Sequence, residues 1–242
     1  MIRRIVRRIK AAQHDLQEAR RLPEPTFDVV QLALAWFIRS GQEGAFVQIG
    51  ACDGATGDPV HELVASGKVR AILMEPIPAT FQKLTDTYAG TANVTLVQAA
   101  IGDRDGSLNL FKVKEGATSI EACWAFQLAS FDKQHLVKHG VKEDEIETLA
   151  VPSLTLETLI LQNGIDRIGF LQVDTEGYDA EVVRMALRLA APPPFINFEN
   201  LHLPAGNGLN QLFQQLTFKG YTWIHDKWNT LAIHHSACEK FI

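Results

Sequence analysis

Cysteine is scarce in this chain, and its scarcity excludes two classes of protein. Only Cys52, Cys123 and Cys238 are present; they have no spacing that would grip a metal, and one is left over if two bridge. A disulfide-framed secreted domain is therefore not expected, and a reducing cytoplasm is the simpler setting. Long apolar runs are lacking too. The longest, Leu32–Ile38, is too short to cross a bilayer. The basic start has neither an uninterrupted apolar region nor a small-residue cleavage site, so no secretory leader is expected. Internal repeats and low-complexity tracts are missing. Positive charge is in deficit: 23 Lys and Arg face 28 Asp and Glu, a formal net charge of -5, which argues against general nucleic-acid binding.

That deficit is uneven, because residues 1–21 carry seven Lys and Arg against two acids and so stand at +5, leaving -10 for the remainder. Within them Ile2, Ile5, Val6 and Ile9 recur at helical spacing among arginines, which predicts a basic amphipathic helix over residues 2–20. Such a helix suits peripheral contact with an anionic membrane, or packing on its own domain or on a second copy of the chain. Leu22-Pro-Glu-Pro25 breaks it, so residues 1–25 read as helix and linker and residues 26–242 as the folded domain. Residues 26–40 form a second helix, apolar on most faces and stopped by Gly41, suited to covering a sheet. With 46% hydrophobic and 21% charged residues over 242 positions, the domain is long enough to bury a core.

From residue 45 onward apolar runs alternate with helical patterns. Strands are expected at 45–49, 70–74, 94–98, 168–173 and 194–199, with a terminal hairpin at 221–225 and 231–234. Helices are expected from Asp58, as N-cap before Pro59, and over 78–88, 155–164, 179–190 and 209–219. This is an α/β pattern. It predicts a Rossmann-like, doubly wound, mostly parallel seven-stranded sheet with an antiparallel terminal strand, plus the N-terminal helices. Residues 107–113 look like an extra strand after the Asp105-Gly106 turn. Residues 114–150 show no clean period and read as an insertion, either a substrate-facing lid or a purely structural insert.

Several of these strands end in acid. Phe46-Val-Gln-Ile-Gly-Ala-Cys-Asp-Gly54 empties into a glycine-bounded turn holding Asp53, Ala71-Ile-Leu-Met-Glu75 ends in a carboxylate, and Gly169-Phe-Leu-Gln-Val-Asp-Thr-Glu-Gly177 ends in two. Ligands of open α/β sheets bind beyond such strand ends. Glu75 stands about 20 residues past the glycine turn, where one carboxylate suits the two hydroxyls of a ribose. A diphosphate at the turn would meet Asp53 at close range, a costly like-charge contact. A cationic, phosphate-free nucleoside fits better, and S-adenosylmethionine is such a ligand.

Val47-Gln-Ile-Gly-Ala-Cys-Asp-Gly54, Thr56-Gly-Asp-Pro-Val-His-Glu-Leu63, Met74-Glu-Pro-Ile-Pro-Ala-Thr-Phe81 and Val173-Asp-Thr-Glu-Gly-Tyr-Asp179, in this order, resemble the FkbM-type S-adenosylmethionine-dependent methyltransferases. Ala99–Gly106 and Leu128–His135 share the likeness, which runs from about residue 45 to 234. Two departures stand out: Gln48 where most such enzymes carry an acid, and Cys52 in place of Asn. The resemblance implies O-methylation of a sugar or other small molecule, with S-adenosylmethionine as cofactor.

On this reading Gln48, Gly50, Asp53, Gly54, Glu75, Ala100, Ile101 and Asp174 are candidate cofactor contacts, Ala100 and Ile101 forming an apolar slot for adenine. Glu176, Glu199 and His202 are the catalytic candidates, near the acceptor hydroxyl. No metal is assigned. Structural alternatives stay open: Asp53 as the cap of its own turn, Glu75 as a solvated strand end, Ala100 and Ile101 as core, Asp174 and Glu176 as caps of the next helix or ligands to a divalent ion, and His202 as a surface residue. An NAD-dependent oxidoreductase, or a non-catalytic adaptor docking through the basic helix, are the competing functions.

Overall fold

The computed structural model describes residues 29–39, 41, 44–121, 125–201 and 207–237. In chain order its strands are β1 (Ala45–Ile49), β2 (Ala71–Met74), β3 (Val94–Val97), β4 (Ala100–Ile101), β5 (Gly106–Val113), β6 (Ala129–Ser130), β7 (Ile146–Leu154), β8 (Ile168–Val173), β9 (Phe195–Glu199), β10 (Tyr221–His225) and β11 (Asn229–His234). Its helices are α1 (Val29–Arg39), α2 (His61–Ala65), α3 (Pro78–Thr87), α4 (Lys133–Lys138), α5 (Leu156–Gln162), α6 (Asp179–Ala186) and α7 (Asn207–Phe218). The expected helix over residues 2–20 and its linker lie outside the described residues, as does His202. Among the described residues no helix is long and apolar enough to cross a membrane.

Seven strands form the main sheet in the order β10-β11-β9-β8-β1-β2-β3. The five from β9 to β3 are parallel, and β11 enters antiparallel between β9 and the edge strand β10. Every residue of β1 and β8 is buried, which is why their sequences are nearly continuous apolar runs rather than alternations. Helices cover both faces. Ala45, Val47 and Ile49 of β1 face the core shared with α5, α6 and α7, while Phe46 faces that of α1, α2 and α3. Under α1, Phe37 meets Phe170 and Phe195 edge-on, and Phe170 stacks on Phe195 with centroids 6.0 Å apart. Burying each such ring contributes about 1.5–3 kcal/mol, so α1 is fastened to the sheet as the expected cover.

Two stretches gain detail and one expectation, the cap at Asp58, needs correction. Residues 107–113 do form a strand, but not in the main sheet: β4, β7, β5 and β6 make a separate four-stranded sheet in that order. Residues 114–150 are not devoid of regular structure, because β6, α4 and half of β7 fall within them. Pro152 and the charged residues of 142–147 hide β7's alternation from the sequence, yet β5 pairs with it over its whole length. Asp58 does not cap a helix starting at Pro59. Helix α2 begins at His61, while Asp58 accepts the Val60 N–H at 2.9 Å and the Gln48 side-chain N–H at 3.2 Å.

Candidate active site

Beyond the carboxyl ends of β1, β2, β8 and β9 lies a cavity of about 1070 Å³. Its place follows from topology, since the chain runs outward from β1 through β2 and β3 and returns on the other side as β8, opening a crevice between β1 and β8. Gly50 makes the closure possible. It sits at φ +81, and a Cβ there would lie 1.8 Å from the Asp174 carbonyl oxygen, so only glycine lets the two strand ends come together. Cys52 follows at φ +48 and donates its N–H to Glu75 Oε2 at 3.1 Å. The Ile77 N–H donates to Glu75 Oε1 at 2.9 Å. These two bonds fix the carboxylate at the cavity wall, and burial overrides them to lift its pKa to about 7.

An amide row underlies the acids. Gln48, Gln172 and Asn197 stand in register across β1, β8 and β9, and Asn197 donates to Gln172 Oε1 at 3.0 Å. Two residues onward in each of β8 and β9, hence on the same face, come Asp174 and Glu199, both lining the cavity. Burial first, then the charges of Asp174, Glu176 and Asp179, push Glu199 up to about 9. Asp174 is raised to about 8, again by burial first and then by Asp179, Glu176 and Asp58. The Asp174 residue is nonetheless exposed, and exposure tempers the upward shift of its carboxyl.

The Thr175–Gly177 turn wraps around Asp179. That carboxylate accepts the N–H groups of Thr175 and Gly177 and the Thr175 hydroxyl at 3.1–3.3 Å; burial nevertheless raises it to about 6. Glu176 is held in the left-handed region at φ +51. Two residues of the 114–150 stretch hold it there: Ser130 donates its hydroxyl to the Glu176 carbonyl at 2.7 Å, and the buried His135 donates from Nε2 to Oε2 at 2.9 Å. The same stretch walls the cavity with Phe126, Gln127, Ala129 and Phe131. Gln127 reaches across to the Thr56 carbonyl at 3.3 Å.

Gln48, Gly50, Glu75, Ala100, Ile101, Asp174, Glu176 and Glu199 thus line one cavity. Asp53 lines it as well, but its carboxylate is turned onto its own loop, accepting the N–H groups of Ala55 and Thr56 and the Thr56 hydroxyl. Desolvation raises that carboxyl, and the Thr56 and Ala55 hydrogen bonds outweigh it, leaving Asp53 below the usual range. Gly54 is a correction. The space a side chain would take there is filled by Leu84 and Tyr88 of the α3 end, and its carbonyl accepts from the Tyr88 hydroxyl and His61. Gly54 therefore shapes the turn from the side away from the cavity. Sequence reasoning missed His135, Asp179 and the Gln172–Asn197 pair. The signals existed: an amide two residues before an acid in both β8 and β9, and Asp132 as N-cap of α4, accepting the Gln134 N–H.

The sequence signature of the Methyltransferase FkbM domain matches residues 48–219. The chain belongs to the FkbM methyltransferase family. No curated relative matches it. Among solved structures, methyltransferase FkbM from Methylobacillus flagellatus is 15% identical with a TM-score of 0.46, over 79% of this chain and 44% of that one. This chain therefore spans less than half the length of that relative. An O-methyltransferase from Bacillus cereus, solved in complex with SAH, is 9% identical with a TM-score of 0.42, over 90% of this chain and 87% of the other.

The family's cofactor is S-adenosylmethionine, and the residues present suit it. Gln48 Oε1 is buried with no hydrogen-bond partner among the described residues, and such an acceptor calls for a donor. Carboxyls held above their usual range gain most from a cation. Ile77, Ala100, Leu110 and Val151 pack into one apolar cluster, a dry surface of the kind that takes a purine face. Among the described residues no group of three or more His, Cys, Asp or Glu is arranged to hold a metal ion.

Proposed function

We propose that the protein transfers a methyl group from S-adenosylmethionine to a hydroxyl of a small molecule or sugar. The observation that carries this reading is the crowding of acids in the cavity: Glu75, Asp174, Glu176 and Glu199 line it, and Lys227 is its one lining cation among the described residues. A diphosphate would be repelled there, whereas a ligand with an ammonium and a sulfonium relieves the repulsion among the acids. The volume exceeds what a nucleoside fills, leaving room for an acceptor beside it.

Roles follow from position. Glu75, oriented by two N–H groups, takes the ribose hydroxyls. Ala100 and Ile101 receive the adenine, while Gln48 and Asp174 receive the amino-acid end. The bound cofactor supplies an electrophilic methyl group. Glu199 faces the acceptor hydroxyl and takes its proton as the new O–C bond forms; Glu176, braced by His135, orients the acceptor. Most of the rate then comes from alignment in a site whose charges are already placed, for which a strong base is not required.

Titration calorimetry with S-adenosylmethionine, S-adenosylhomocysteine and NAD tests the reading. Binding of the first two and not of NAD is expected. Tight NAD binding with neither of the others would replace the methyltransferase by an oxidoreductase.

A further inference from the structure

The turn between β10 and β11 faces the cavity with residues that the cofactor reading leaves unused. Asp226, Lys227, Trp228 and Asn229 all line it, and the turn is rigid. The Asp226 carboxylate accepts the N–H groups of Trp228 and Asn229 at 2.8 and 2.7 Å, the Asp226 N–H donates to the Asn229 carbonyl, and the Trp228 carbonyl accepts from the Asn200 N–H at 2.8 Å. Asn200 follows Glu199 directly, so the turn is tied to the end of β9, beside the acid assigned to the acceptor proton.

Two side chains stand out on this turn. Trp228 is 48% exposed, a large apolar surface left open beside a polar cavity. The Lys227 ammonium lies 4.2 Å from the centroid of its ring. No carboxylate pairs with Lys227 among the described residues, and Asp226, the nearest in sequence, is already engaged by the turn's own N–H groups. The cavity is therefore mixed in charge, with acids at the strand ends and, on the turn beside the end of β9, a single lining cation next to an open aromatic ring among the described residues. A second ammonium–aromatic pair, Lys83 at 4.0 Å from the Phe126 centroid, flanks the same cavity from the side of α3.

We propose that the acceptor is a ring compound carrying an acidic group, phosphate or carboxylate, close to the methylated hydroxyl, and that Trp228 and Lys227 select it. This rests on the methyltransferase reading above. The ring face packs on the indole, the anion pairs with the Lys227 ammonium, and the hydroxyl is thereby turned toward Glu199, away from the acids that repel the anion. Neutral rings of the same shape lack the second anchor.

The test uses the full chain, S-adenosylmethionine labelled on its methyl group, and a panel of hydroxylated rings, both pyranosides and phenols, each as the neutral, carboxylate and phosphate form. Label is expected on acidic members at kcat/KM at least tenfold above their neutral analogues, and the carboxylate and phosphate arms identify which anion is used. Lys227→Gln should abolish that preference through KM alone. Trp228→Ala should raise KM for acidic and neutral rings alike, and Trp228→Phe should restore most of it. S-adenosylhomocysteine affinity should stay unchanged in all three variants, which also reports that they fold. Equal labelling of neutral rings, a preference that survives Lys227→Gln, or no labelled panel member while S-adenosylhomocysteine binds, would each overturn the proposal. Failure of the wild-type chain to bind S-adenosylhomocysteine would instead remove the methyltransferase reading beneath it.

Discussion

Glu199→Gln exposes the electrostatics of the site most directly. In the free protein burial and the neighbouring acids hold Glu199 at about 9, so at pH 7.5 it is mostly protonated. A bound sulfonium offsets those acids, lowers the value and expels the proton. The complex then holds fewer protons than its separated partners. Affinity for S-adenosylmethionine must therefore rise with pH, by up to about tenfold per pH unit for one proton, until pH passes the free-state value of about 9. Asp174, at about 8 in the free protein, adds part of a second proton. Calorimetry at pH 7.5 in two buffers of different ionisation enthalpy counts the release. Between one and two protons are expected for the wild type and about one fewer for Glu199→Gln. The same raised values require the free protein to lose stability as pH climbs from about 5 to 9, because the folded state holds protons that the unfolded chain gives up near pH 4. Equal proton counts in the two proteins, or an affinity flat from pH 6 to 9, would refute the reasoning.

Three further outcomes follow from single contacts. Gly50→Ala drives a Cβ into the Asp174 carbonyl, a backbone atom that has no rotamer to escape into; a loss of about 3 kcal/mol or more in urea unfolding is expected, and a wild-type midpoint would contradict it. His135→Ala removes a part-buried hydrogen bond to the Glu176 carboxylate, worth about 1.5–3 kcal/mol. Methyl transfer to an acceptor found in the panel should fall about tenfold or more in kcat, with His135→Gln, which keeps an N–H donor, recovering most of it and both variants binding S-adenosylhomocysteine normally. Cys52 is pushed up to about 12 by burial first and then by Glu75. In a Cys123→Ser, Cys238→Ser background its reaction with a disulfide reagent at pH 8 should be at least about a hundredfold slower than that of free cysteine, and an ordinary rate would contradict the buried, acid-flanked placement.

The centre of the main sheet was legible because β1, β2 and β8 are buried throughout. Nearly continuous apolar runs such as Phe46–Ile49 and Ile168–Val173, each broken by a single Gln, cannot be mistaken for solvated segments, and each ends at a turn residue. Glu75, Asp174 and Glu199 were readable for the same reason, since an acid that ends an apolar run must emerge at the sheet's carboxyl edge. The second sheet was hidden because both faces of β5 and β7 are only partly buried. Their polar residues follow local solvent exposure, and no single period survives. Gly54 misled for a different reason: a glycine in a binding loop can serve the ligand or the helix behind it, and only the placement of Leu84 and Tyr88 tells which. The helix that carries His135 was readable from its Asp132 cap, but its pairing with Glu176 was not, because the two lie 41 residues apart and a long-range pairing leaves no trace in local pattern.

The second sheet is best understood as part of the site. Strand β4 exists only because Ala100 and Ile101 pair with Ser153 and Leu154 of β7, so the apolar wall assigned to adenine depends on residues far downstream in the chain. The pairing is anchored on both sides. Ser153 donates to the Arg104 carbonyl, Gly102 donates to Leu154, and Asp105 accepts the Thr155 N–H and the Thr158 hydroxyl at the start of α5. From the other end of the same sheet come Ser130 of β6 and, just beyond it in α4, His135, which hold Glu176 in a backbone conformation it would not keep alone. One small sheet thus fixes the dry wall and the acidic wall together.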